Sequence, residues 1–124
     1  MANFAAVRDA FTDSFEGLGA VIFDYSPPVV STPAIFVFPA DPYAEIQTIG
    51  SANRVKLRFT VTAAVAANDN QAALNNLEDL MIDIITHLPS GAVISTFGAP
   101  AMTQVGVTNL LVSESTAEVT TQIS

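Results

Sequence analysis

Very few side chains in this sequence have the types and spacing that catalysis or metal binding needs. The only histidine, His87, stands at the end of a predicted helix, where its charge would favour the helix C-terminus. No serine or aspartate is marked by the sequence as a catalytic partner for it. Asp79 and Asp83 share one face of the same helix, but two carboxylates without a Gly-rich loop are weak evidence for a metal site. We interpret them as a solvated polar face.

The signatures of common enzyme classes are also absent from the sequence. It contains no phosphate-binding glycine pattern, no G-x-S-x-G, no H-E-x-x-H and no EF-hand loop. The lack of cysteine excludes disulfides, thiolate zinc sites and a cysteine nucleophile. We therefore expect a protein that is not an enzyme and that needs no metal or other cofactor.

Composition indicates a chain that shares its surface with partners. Half of the 124 residues are hydrophobic, only 13% are charged, and the formal net charge is −8. Acidic surfaces repel phosphate backbones, which argues against a nucleic-acid reader. Polar residues, glycines and prolines interrupt residues 84–113, the longest segment without charge, so the sequence predicts no membrane span. The excess apolar surface therefore favours an oligomer.

Three of the four basic residues are predicted to share one face of one strand. We call Arg54, Lys56 and Arg58 the basic stripe; they alternate with Val55, Leu57 and other apolar residues. The cations could protect a strand edge or an open sheet face. They could equally pair with acidic residues of a neighbouring subunit. Contact with DNA is the weakest of the three interpretations, because the net charge opposes it.

Hydrophobic periodicity predicts two amphipathic helices. The first spans residues 4–18, and we expect it to pack on the chain's own sheet. The second spans residues 71–88, with Ile82 on its polar side, which hints at a contact outside the domain. The predicted apolar face of the second helix consists of Leu74, Leu77, Met81, Ile84, Ile85 and Leu88.

The remaining segments predict a sheet. We expect Pro33 and Pro39 to lie outside the strand that they flank, and residues 39–53 to form a long connection. Residues 45–65 are predicted to form a long antiparallel hairpin. The order of elements predicts a single α+β domain over 1–124, with a twisted, mostly antiparallel or mixed sheet and both helices on one face. Predicted strands are 21–23, 34–38, 54–65, 92–97, 102–107, 110–113 and 117–123.

The order of these stretches resembles a known protein family. The stretches are NFAAVRDAFTDSF, PAIFVFP, a hairpin arm leading into RVKLRFTVTAAVAA, NDNQAALNNLEDLMIDIITHLP, VISTFGAP and TAEVTTQIS. Together they cover nearly the whole chain, and their layout resembles the tail terminator proteins of long-tailed (siphovirus-type) bacteriophages and related neck proteins. The resemblance lies in the pattern of elements and not in a diagnostic motif.

The resemblance implies structural work in the virion. Such proteins form a hexameric ring on the head-proximal end of the tail tube, stop tube polymerisation and offer a surface to the head connector. Genomic DNA passes through the ring without sequence-specific binding, and an acidic channel would let it slide. The implied location is the neck of the virion, after assembly in the host cytoplasm, with no membrane partner.

On this hypothesis, contacts between subunits or with the tube are expected at three places. They are the arm (residues 39–54), which contains Tyr43 and Glu45, the basic stripe, and Ile82. Two alternatives remain open. One is another head–tail connector or closure protein. The other is a small α+β enzyme or ligand-binding domain, which would need a pocket near His87 or near Asp79 and Asp83.

Overall fold

A computed structural model describes residues 4–24, 28, 30–49, 52–67 and 70–122, with the backbone alone at 47–49, 52–53 and 70. Within these residues, two helices accompany a six-stranded mixed sheet, which confirms the expected α+β class. The elements in chain order are α1 (Phe4–Asp13), β1 (Val21–Phe23), β2 (Ala34–Ile49), β3 (Ala52–Ala66), α2 (Asn70–Thr86), β4 (Ala92–Phe97), β5 (Ala101–Val105) and β6 (Thr108–Gln122).

The sheet is built around the long strands β2, β3 and β6. Its order is β1-β2-β3-β6-β4, and β5 pairs with β6 as well. β4 and β5 lie along the same side of β6, β4 opposite residues 115–119 and β5 opposite residues 108–112. Only β1 and β2 run parallel; the other pairs are antiparallel. The short β1 reaches only residues 34–36 of β2.

Both helices pack on one face of this sheet, as predicted. Alternate residues of β3 are fully buried there, among them Leu57 and Phe59. The Phe11 ring of α1 stacks on Phe59 with 4.9 Å between ring centroids. α1 ends at Asp13, earlier than predicted, and Phe15 reaches the core from the turn that follows. The predicted apolar stripe is therefore in the core, although its last part is not helical.

The hairpin is longer than the sequence predicted, and Pro39 belongs to it. Pro39 lies within β2 and pairs with Phe59 of β3, so the expectation that it lies outside the strand is wrong. The register then shifts before Ala44, which leaves residues 40–43 as a bulge opposite Arg58. A proline is tolerated here because β1 does not extend this far, and no other strand among the described residues pairs with the outer side of β2. Residues 50–51 of the predicted arm lie outside the described part.

The buried face of α2 differs from the predicted one. Leu77 and Ile84 are buried as expected, but Ala73 and Leu80 complete the core side. Leu74 and Ile85, which the periodicity placed in the core, are 38% and 51% exposed. The helix is therefore rotated about its axis relative to the prediction, with Leu80 turned towards the core and Ile85 turned towards solvent. Leu88 packs on the core from beyond the helix end at Thr86.

The two last predicted strands are one strand, β6. The polar stretch around Ser115 suggested a break between two strands. The Ser115 hydroxyl is buried instead and donates a 2.9 Å hydrogen bond to the Val61 carbonyl oxygen, which satisfies this polar group inside the strand. The break predicted at residues 98–100 is confirmed, and β4 has the predicted bounds. Ile123, the end of the predicted last strand, lies outside the described residues.

A second, smaller core covers one end of the opposite sheet face. Phe23 stacks on Phe36 with 5.3 Å between centroids, and Val30 and Leu110 are buried beside them. The Val30 amide donates to the Thr108 hydroxyl at 3.2 Å, which fixes this segment to the start of β6. The rest of that face is not covered by a helix of the described chain.

Candidate interaction surface

The sheet face opposite the helices carries the basic stripe. Strand alternation in β3 puts Leu57 and its apolar neighbours under the helices, so Lys56 and Arg58 point to the other side. Thr60 and Thr62 continue this row towards the second core. We call the uncovered part of this surface the open sheet face.

Lys56 and Arg58 are paired within the chain. The Lys56 ammonium lies 3.8 Å from Glu45 and 3.5 Å from Glu118. The Arg58 guanidinium lies 3.3 Å from Glu45 and 3.6 Å from Glu118. Glu45 is on β2 and Glu118 on β6, so the four side chains bridge three neighbouring strands. Two positive charges are balanced by two negative ones.

These ion pairs help to decide between the three interpretations of the basic stripe. Cations already held by two carboxylates of their own chain attract phosphate or a neighbour's acid only weakly. Their side chains are partly exposed, so each pair contributes roughly 1 kcal/mol at most. Protection of an open sheet face is therefore the interpretation that fits best.

Arg54 stands apart from this network. It is exposed near the start of β3, where Gln47 and Gln122 are its register partners on the two neighbouring strands. No ion pair of Arg54 within 4 Å is found in the part of the chain that the structure describes.

Tyr43 and Ile82 do not join the charged group. The Tyr43 ring packs on the helix side, with its centroid 6.0 Å from that of Phe4 and 5.8 Å from that of Phe59. Its hydroxyl is buried and, within the described residues, has no hydrogen-bond partner. Ile82 is 57% exposed on the outer side of α2. The structure thus brings Glu45, Lys56 and Arg58 together and places Tyr43 and Ile82 elsewhere.

Sequence reasoning missed the strand edges. Beyond Phe36, the outer side of β2 has no strand neighbour among the described residues, and β4 is paired only with β6 there. We call residues 44–49 of β2 the β2 edge and residues 92–97 the β4 edge. Ile46 and Val93, one on each edge, are 66% and 61% exposed. The brevity of the predicted strand 21–23 beside a long hairpin was the available signal.

The second helix borders an open cleft of about 450 Å³. Asp79 and Asp83 line it, together with Leu18, Pro33 and Leu80. No group of three or more histidine or acidic residues suited to a metal gathers within the described ranges. His87 does not line this cleft; its Nδ1 lies 2.9 Å from the Asp83 carbonyl oxygen, against the helix C-terminus as predicted.

Comparisons with known proteins do not identify a family for this chain, so the functional argument rests on the fold. Neither the protein-family models nor the curated protein sequences contain a match to this chain. Among the residues that the structure describes, no helix is both long and apolar enough to cross a membrane.

Proposed function

We propose that this chain is a structural subunit of a bacteriophage tail that caps the tail tube as a homohexameric ring. In this role it ends tube polymerisation and offers the surface to which the head connector binds. It catalyses no reaction and holds no cofactor. It assembles in the host cytoplasm and stays in the neck of the virion, where genomic DNA passes through the ring.

The observation that carries the proposal is the long β2–β3 hairpin within a sheet that is covered by helices on one face only. This arrangement supports the resemblance, because a helix and a hairpin arm precede the second helix, as in the pattern on which the resemblance rests. The hairpin consists of two of the three long strands of the sheet, β2 (Ala34–Ile49) and β3 (Ala52–Ala66). Such a sheet offers an open face and free edges to neighbouring subunits.

Exposed apolar side chains support a subunit with shared surfaces. Large hydrophobic side chains that are at least one third exposed occur on both helix and sheet elements. They are Val21, Ile46, Leu74, Ile82, Ile85, Val93, Met102 and Val107. Scattered single exposed residues are normal in any protein, but this chain has few charges to separate them.

The charge distribution supports passage of DNA without binding. The chain carries −8, and the cations of Lys56 and Arg58 are engaged by Glu45 and Glu118. A ring of such subunits repels the phosphate backbone at every azimuth. The DNA therefore meets no cluster of free cations on which it would be retained.

The proposal is tested by electron microscopy of phage particles assembled without this protein. We expect tails of abnormal and variable length, because tube polymerisation no longer stops. Supplying the native chain from a plasmid is the control and restores uniform tails. Tails of normal length beside detached or DNA-leaking heads would instead indicate a connector or closure protein. Intact particles with normal tails would refute a neck function altogether.

A further inference from the structure

The sheet ends in two strand edges that are open to pairing. The β2 edge lies beyond the reach of β1, and the β4 edge faces away from β6. At the start of β4 the Ala92 amide donates to the Pro89 carbonyl oxygen at 3.1 Å; in the described chain, no backbone hydrogen bond from outside the sheet is found at residues 93–97 or 44–49. Unpaired backbone amides and carbonyls in an extended strand are a template for another strand.

Natural proteins protect such edges with prolines, bulges and charges. In β2 these devices are concentrated before the β2 edge: Pro39, Pro42 and the bulge at residues 40–43. The β2 edge, AEIQTI, has no proline, and its single charge, Glu45, is engaged by Lys56 and Arg58. The β4 edge, AVISTF, has neither charge nor proline, but its register with β6 shifts between Ile94 and Phe97, so β4 pairs regularly only over residues 92–94. Residues 44–49 of the β2 edge and residues 92–94 of the β4 edge thus have no proline, no bulge and no unpaired charge.

The directions of the strands decide which partner fits. β2 is antiparallel to β3, β3 to β6 and β6 to β4, so β2 and β4 run in opposite directions at the two sides of one sheet. A second copy that continues this sheet, with its helices on the same side, therefore brings its β2 antiparallel to the β4 of the first. Each edge is six residues long, and residues 92–94, which pair regularly with β6, are the part of β4 that can continue the ladder to Ile46 of a second copy.

We infer that the β2 edge of one copy pairs with the β4 edge of a second copy, so that the sheet continues from subunit to subunit. Ile46 is opposite the core residue Val55, and Ile94 is opposite the core residue Ala117, so both lie on the helix side of the sheet. Across the joint, apolar side chains then meet on the same side. The contact joins two different surfaces, and such contacts close into rings when the rotation permits.

This inference deepens the proposed function, on whose ring it rests. It specifies the contact between subunits as backbone pairing of two edges, in place of the predicted contacts at the basic stripe. Strand pairing over so short a length buries less than the roughly 1,200 Å² of a stable complex. Ring closure, in which every copy uses both of its edges, compensates for the weak single contact.

Disulfide trapping tests the pairing directly, because the chain has no cysteine of its own. Ile46→Cys is combined with Ala92→Cys in one variant and with Ile94→Cys in another, to sample two registers. Oxidation of the purified protein at high concentration should give a ladder of covalent oligomers from at least one double variant. Ile46→Cys alone should give none. Asn75→Cys with Ala92→Cys, which places the first cysteine at an exposed site on α2, is the matched control and should give none either.

Two outcomes would overturn the inference. Cross-linking of Ile46→Cys alone would mean that two β2 edges pair with each other about a twofold axis. The absence of any ladder, whether the chain is oligomeric or monomeric by light scattering, would mean that these edges do not pair.

A charge placed on the edge gives an independent measurement. Ile46→Lys should raise the concentration at which half of the protein is assembled by about tenfold or more, equivalent to about 1.4 kcal/mol per contact. Asn75→Lys introduces the same charge at an exposed position of α2 and should leave assembly unchanged. Circular dichroism verifies that both variants are folded. Equal assembly of Ile46→Lys and the native chain would contradict the pairing.

The failure of this inference and that of the proposed function can be told apart. If tails are overlong without the protein but no cross-links form, the ring exists and uses another contact. If the cross-linked ladder forms but tails are normal without the protein, the edges pair and the role in tail termination is wrong.

Discussion

At the residue scale, the acidic partners of Lys56 and Arg58 come from the two strands that flank β3. Alternation along one strand was enough to place Lys56 and Arg58 on the same face. It could not show that Glu45 and Glu118 would lie against them, because that depends on which strands flank β3 and in which register. The charges that the sequence left free for a partner are thus satisfied within the fold.

Gly106 occupies a position where the fold requires glycine. Gly106 has φ of +61°, and a Cβ at this position would overlap the backbone of Pro28. Gly106→Ala should therefore lower the free energy of unfolding by about 2–4 kcal/mol, from left-handed strain together with overpacking. Urea denaturation measures the change.

Gly17→Ala is the matched control for Gly106→Ala. Gly17 also has a positive φ, of 87°, but open space surrounds the position of its missing Cβ. Only the strain of about 1–2 kcal/mol applies there. An equal loss in the two variants would mean that the contact with Pro28 adds nothing to stability.

At the element scale, periodicity located α2 but not its rotation. Leu74 and Ile85 lie on one side of the buried stripe and Leu80 on the other, and the sequence makes both sides apolar. Which side turns inward depends on where the helix crosses β3. The hairpin shows the same limit, since Pro39 and Pro42 suggest a loop unless one knows that they lie on an uncovered edge.

Two neighbouring isoleucines test the rotation of α2. Ile84 is fully buried and Ile85 is 51% exposed. Ile84→Ala should lower the free energy of unfolding by about 2–5 kcal/mol, because it opens a cavity in the main core. Ile85→Ala makes the same chemical change and should lower it by about 1 kcal/mol or less. Comparable losses in the two variants, measured by urea denaturation, would contradict the observed orientation.

At the scale of the whole molecule, the net charge opposes association between copies of the chain, whereas the free strand edges favour it. Each copy carries −8, so copies repel one another, while the β2 and β4 edges are uncharged or internally neutralised. Salt shortens the reach of the repulsion, from about 30 Å at 0.01 M to about 10 Å at 0.1 M. Backbone pairing and apolar contacts are much less sensitive to it.

We therefore expect assembly of the purified chain to strengthen between 10 mM and 150 mM sodium chloride. Sedimentation velocity or light scattering at fixed protein concentration measures the change. Assembly that weakens over this range would show that ion pairs between subunits hold the oligomer. In that case the basic stripe would contact a neighbour, as the sequence alone also allowed.

The sequence by itself determined the α+β class, the number of helices among the described residues, the buried row of β3 and the bounds of β4. These features depend on local periodicity, which side-chain burial imposes on any helix or strand. Tertiary structure alone decided the rotation of α2, the continuation of β2 beyond Pro39 and of β6 beyond Ser113, the ion pairs of Lys56 and Arg58, and the two free edges. Each of these depends on the order and register of strands far apart in the chain, since the same local pattern is compatible with several neighbours.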